Sequence, residues 1–197
     1  PDTLEQVFEH APVIVVTHCE DSPMIWANEA QAKEKYGDDV PMSEHPNIRS
    51  AEACFKSSSL AIELAQRHDA LLHVLHLTTA REMELFSPAP RHAKRITAEV
   101  CVHHLWFDAA GYETLGSHIK CNPAIKQETD RQALLQALRD DRIDVIATTI
   151  SGSIQDWGKV KRIVPLFGDR GVNDVTLHTV DSHAVARSRT RECVERG

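Results

Sequence analysis

No apolar run in this sequence approaches the roughly 20 residues needed to cross a bilayer as a helix. The opening PDTLEQVFEH offers neither the basic nor the apolar segment of a secretory signal. A membrane protein is not expected, and the cytoplasm is the expected location. Basic excess is lacking as well. Against 29 Asp and Glu stand 22 Lys and Arg, a net charge of -7, so no basic stripe is available to neutralise phosphates and nucleic acid is not an expected partner. The five cysteines (Cys19, Cys54, Cys101, Cys121, Cys193) are odd in number and form no CxxC pair, which points to reduced thiols rather than a disulfide framework. Also missing are a glycine-rich phosphate loop, a dinucleotide fingerprint and a Ser/His/Asp order. Neither HExxH nor HxH occurs, so spacing alone identifies no metal motif.

What is present is a chain of 197 residues, 42% hydrophobic and 26% charged, which is enough to bury a core. Short apolar runs alternate with longer helical ones, the pattern of βα units around a parallel sheet. Strands are expected at 12–17 (PVIVVT), 71–77 (LLHVLHL), 95–101 (RITAEVC), 118–121 (HIKC) and 143–148 (IDVIAT). Helices are expected at 23–35, at 50–69 with Ser50 as N-cap, and at 129–139 with Asp130 near its start. Segment 87–93 (SPAPRHA) is a proline-rich loop. A complete eightfold barrel takes about 250 residues, so five strands leave two readings: an open α/β sheet, or part of a barrel without its first units. After Thr148 the helical and strand periods fade, with at most a short strand at 163–167.

In βα proteins, reactive side chains gather where strands end. After VIVV comes His18, followed by Cys19, Glu20 and Asp21; LLHVL ends in His76; RITAEVCV ends in His103 and His104; HIKC ends in Asn122. Two imidazoles on neighbouring strand ends can share a divalent metal, and zinc suits neutral nitrogen ligands. His18 and His76 are the candidate pair, although a single histidine at a strand end is more often a hydrogen-bonded rim residue. His73 is expected to face another side than His76. His103 and His104 are expected on opposite faces, one of them packing. Glu20 and Asp21 suit either an orienting role toward a ligand or a solvated loop. Arg49 suits either an anion site before a helix or an ordinary surface position.

The strings VVTHCEDSPMI, EHPNIRSAEACFKSSSLAIELA, LHVLHLTTARE, ITAEVCVHHLWF, IKCNPAIK and DRIDVIAT, in that order, resemble the dihydroorotase family of the amidohydrolase superfamily. The resemblance covers nearly all of residues 12–148. It implies an α/β fold, a partial TIM-type barrel lacking the first βα units, with 1–148 as its central and C-terminal part and 149–197 as a divergent tail. It also implies a zinc centre and hydrolysis of the cyclic amide of dihydroorotate to N-carbamoyl-aspartate. Carried over, the His-Cys-Glu-Asp histidine is the metal ligand His18, the second His-Val-Leu-His histidine is the metal ligand His76, and the Asn-Pro-Ala asparagine is the substrate contact Asn122.

Two departures accompany the likeness. The His-x-His pair with which family members open the barrel is absent from these residues. Where the family ends its last strand with Asp-His-Ala-Pro-His, this sequence reads Thr149-Ile150-Ser151-Gly152-Ser153, and a threonine cannot serve as the general base near neutral pH. No catalytic residue is therefore assigned, and the chain is expected to be inactive alone. A related hydantoinase or allantoinase, or a non-catalytic partner of aspartate transcarbamoylase, are the alternatives. Exposed parallel edges predict self-association.

Overall fold

The computed structural model describes residues 2–147. In chain order these form helix α1 (Asp2–His10), strand β1 (Val15–Thr17), α2 (Ser22–Tyr36), α3 (His45–Ile48), α4 (Ala51–Arg67), β2 (Leu72–Val74), β3 (Ile96–Cys101), α5 (Val102–Trp106), α6 (Gly111–Leu115), α7 (Glu128–Arg139) and β4 (Val145–Ala147), with short 3-10 turns between them. The sheet runs β1-β2-β3-β4 and every neighbouring pair is parallel. The register sets Val15 beside Leu72, His73 beside Thr97 and Val100 beside Ile146.

Alternation along each strand separates two faces. One carries Leu72, Val74, Ala98, Val100 and Ile146, all buried in the main core with Ala61, Leu64 and Ala65 of α4 and Leu134 and Ala137 of α7. The other carries Val16, His73, Thr97, Glu99 and Cys101, a mostly polar set. Ser50 Oγ, the expected N-cap of α4, accepts the Ala53 amide at 3.2 Å, and Asp21 Oδ1 caps α2 by accepting the Met24 amide at 3.0 Å. In α7 the Asp130 carboxylate accepts the Gln127 amide at 3.2 Å, and its other oxygen accepts the Ala80 amide at 2.9 Å.

Four of the five expected strands are found, each shorter than expected, β3 by one residue only. The fifth is not. Residues 116–119 form a 3-10 turn that starts at Gly116, whose φ of 53° suits glycine. Ile119 packs with Tyr112 and Ile125 in a small separate cluster rather than in the sheet. That packing, rather than strand pairing, sets the local backbone, so Asn122 follows a turn and not a strand. A second correction concerns His103 and His104: β3 ends at Cys101 and α5 begins at the next residue, so the strand period does not apply to them. The expected strand at 163–167 and the tail 149–197 lie outside the described residues.

Candidate functional site

The adjacent strands β1 and β2 end side by side, held by the Leu75 amide on the Thr17 carbonyl at 3.0 Å. That juxtaposition brings the next side chains together. The rings of His18 and His76 lie 5.8 Å apart between centroids, tilted by 59°. His18 is exposed and His76 half-buried.

His76 has a left-handed backbone with φ of 40°, which most side chains adopt only at a cost. Its amide points at Glu99 Oε1, 3.4 Å away, and the following amide, of Leu77, donates to the Glu99 carbonyl at 2.8 Å. Burial, reinforced by the neighbouring His18, holds the His76 ring down to about 4, so the imidazole is neutral at pH 7. Its Nδ1 is buried without a hydrogen-bond partner. A neutral ring with an uncommitted nitrogen beside a second imidazole fits a divalent transition metal.

Behind this pair stands a buried polar support. His73 Nδ1 is 2.8 Å from Thr97 Oγ1, and its Nε2 is 3.5 Å from Glu99 Oε2. The turn after His76 is fixed by Glu82, whose carboxylate accepts from Ser58 Oγ at 2.6 Å, Thr79 Oγ1 at 2.9 Å and the amides of Thr78 and Thr79. Glu20 does not reach His18. Instead it pairs with Arg49 at 2.5 Å while its Oε1 stays buried and unpartnered. Asp21 is committed to capping α2 and to Lys56 at 3.0 Å.

Asn122 is exposed, in a turn joined to Pro123 by a cis peptide bond. Two histidines clamp this turn: His45 Nε2 bonds the Cys121 carbonyl at 2.9 Å and His104 Nε2 bonds the Pro123 carbonyl at 3.0 Å. Among the described residues no hydrogen bond joins Asn122 to His18 or His76. Thr149, the remaining position of interest, lies outside the described residues.

The sequence reading missed one grouping. Cys101, His103 and His104 each bring a donor atom within 4.8 Å of the others, and the two rings lie 4.2 Å apart. The signal was there as C-V-H-H, but only the abrupt change from strand to helix brings the three together. The four described cysteines are free thiols. No helix among the described residues is long and apolar enough to cross a membrane.

No family model matches the chain. Among curated proteins it is similar to the dihydroorotase of Carboxydothermus hydrogenoformans, 35% identical over 153 residues, covering 72% of this chain and 34% of that protein. It is also similar to the dihydroorotase of Bacillus licheniformis, 33% identical over 134 residues, covering 68% and 30%. The chain spans about a third of the length of the curated relatives it matches. Among solved structures it superposes on the L-hydantoinase of Arthrobacter aurescens with a TM-score of 0.67 at 21% identity, over 75% of this chain and 33% of that one. The dihydropyrimidinase of Brevibacillus agri gives 0.67 at 21% identity, over 80% and 36%. The class defined by this parallel sheet and its helices is thus an α/β fold shared with part of these hydantoinase and dihydropyrimidinase structures. Over the matched stretch, 68–72% of its length, the chain is similar to the dihydroorotases.

Proposed function

We propose that the chain is part of the catalytic barrel of a dihydroorotase: residues 1–148 supply its central and C-terminal βα units, and 149–197 are a divergent tail. The substrate is dihydroorotate, opened to N-carbamoyl-aspartate, the metal is zinc and the location is the cytoplasm. One observation carries the reading. His18 and His76 meet at the ends of adjacent parallel strands, 5.8 Å apart, with His76 neutral and its Nδ1 uncommitted.

Zinc, when bound, supplies Lewis-acid activation of water and of the scissile amide carbonyl. His18 and His76 would hold it. Glu99 and the Glu82 network fix the backbone on which His76 sits. The Asn122 side chain, a donor and an acceptor, suits the amide and carboxylate groups of such a substrate, and His45 and His104 hold its turn in place. Thr149 offers no proton acceptor where the family has an aspartate, so this chain is expected to lack turnover by itself.

That same threonine favours a second reading, a non-catalytic dihydroorotase-like chain that scaffolds aspartate transcarbamoylase or assembles with copies of itself. A chimera separates the readings. Residues 12–147 are placed in the Bacillus licheniformis dihydroorotase in exchange for its matching stretch, which leaves that enzyme's own acid-base residue intact. Hydrolysis of dihydroorotate, lost by at least about 100-fold in His76→Ala, is the expected result. Hydrolysis of a hydantoin or of allantoin instead would reassign the substrate. A folded chimera inactive on all three would leave the scaffold.

A further inference from the structure

We propose that Cys101, His103 and His104 form a second metal-binding site, for a borderline transition-metal ion of the zinc kind, beyond the pair formed by His18 and His76. The donors are arranged by a junction. Cys101 is the last residue of β3 and caps α5 with an extended backbone, φ -90° and ψ 147°, while His103 and His104 already lie in the helix. Their donor atoms all fall within 4.8 Å of one another. On a tetrahedral zinc, bond lengths of about 2.0 Å to nitrogen and 2.3 Å to sulfur set donors about 3.3–3.5 Å apart. An inward adjustment on the order of 1 Å, within reach of side-chain torsions, closes the set around an ion.

The independent observation is the state of His104. Its ring is only 3% exposed. Nε2 is committed as a donor to the Pro123 carbonyl at 3.0 Å, which leaves Nδ1 as a bare lone pair, and that atom is buried with no protein partner. An unsatisfied buried nitrogen is unfavourable unless a ligand takes it up. A ligand histidine is commonly arranged in this way, one nitrogen on the metal and the other fixed by a backbone carbonyl. Binding would replace the Cys101 thiol proton, which is released to solvent as the thiolate takes its place on the ion. The buried Glu99, two residues earlier on the same strand face, adds negative charge near the ion. Cys121 is not a donor here, because its Sγ lies 3.6 Å from Nε2, the committed edge of the His104 ring.

Cobalt(II) is the probe, titrated into the full chain under reducing, metal-free conditions. A thiolate bound to cobalt gives a near-ultraviolet charge-transfer band that an all-histidine site cannot give, so the result is independent of whether His18 and His76 hold zinc. One equivalent is expected to produce the band, and zinc to bleach it. Cys101→Ser should abolish it, and the half-buried His103→Asn should weaken affinity at least 10-fold. Cys121→Ser and Cys19→Ser should leave it intact, with circular dichroism reporting the fold of each variant. Absence of the band in the wild-type chain, or its survival in Cys101→Ser, overturns the proposal. Should Cys101→Ser fail to fold, an unchanged affinity in folded His103→Asn overturns it equally.

Discussion

His45 lies beneath the turn that carries Asn122, and its chemistry makes that turn sensitive to acid. Its ring is buried, and burial first, then the nearby cations of Lys120, Arg49 and Lys126, hold its pKa below the ordinary 6.5. The unfolded chain takes up a proton near 6.5 while the folded chain resists until a lower pH. The stability gained by keeping His45 neutral is therefore complete above about 6.5 and is lost as pH falls below it. His45→Gln keeps an N–H for the Cys121 carbonyl but has no proton to gain. Urea unfolding between pH 7.5 and 5 should show an acid-side slope reduced by up to one proton, about 1.4 kcal/mol per pH unit. An identical slope in the variant would mean that His45 already titrates normally. At this scale the sequence disclosed what depended on strand ends. His18 and His76 could be chosen because an apolar run points at each of them. The roles of His45 and His104 could not, since their carbonyl partners lie 76 and 19 residues away in sequence.

Strands β3 and β4 illustrate how far patterning carries at the scale of elements. ITAEVC and DVIA have the β-branched content of buried strands, and they pair as expected. Nothing in either string shows that Lys94, just before β3, reaches Asp144, just before β4. That pair is 2.8 Å apart, with side chains 2% and 3% exposed, and Asp144 also accepts the Ala98 amide at 2.9 Å. The contact locks the register of the two strands at their beginning, opposite the end that carries Cys101. Asp144→Ala leaves a buried ammonium with only the Asp141 carbonyl and no counter-charge, and is expected to cost about 3–5 kcal/mol, read as a lower urea midpoint. Asp144→Asn, which retains an acceptor for Ala98, should cost less. A loss below about 1 kcal/mol in Asp144→Ala would show that water reaches Lys94. The false strand at 118–121 marks where patterning ends: polar and apolar residues alternate there, but long-range packing of Ile119 against Tyr112 and Ile125 decides the local backbone.

At the scale of the whole molecule, alternating apolar runs and helices gave the parallel α/β class directly, because each strand must be covered by the helix that follows it. The edge at β1 was legible only as a consequence of counting strands. Among the described residues β1 pairs with β2 alone, and around it Val13 and Val16 are 68% and 52% exposed, with Ile14 exposed beside them. An open parallel edge with apolar side chains is a template for another strand. The chain of 197 residues is accordingly expected to self-associate, with a sedimentation coefficient that rises with concentration. Val13→Lys with Val16→Lys should shift the distribution toward monomer. Because both side chains are largely in water already, unfolding free energy should change by no more than about 0.5 kcal/mol. A wild-type chain that stays monomeric across micromolar to millimolar concentrations would mean that this edge is not the adhesive surface. Association that persists unchanged in the double variant would move the contact to another apolar surface, with Trp26 on α2, 67% exposed, the next residue to replace.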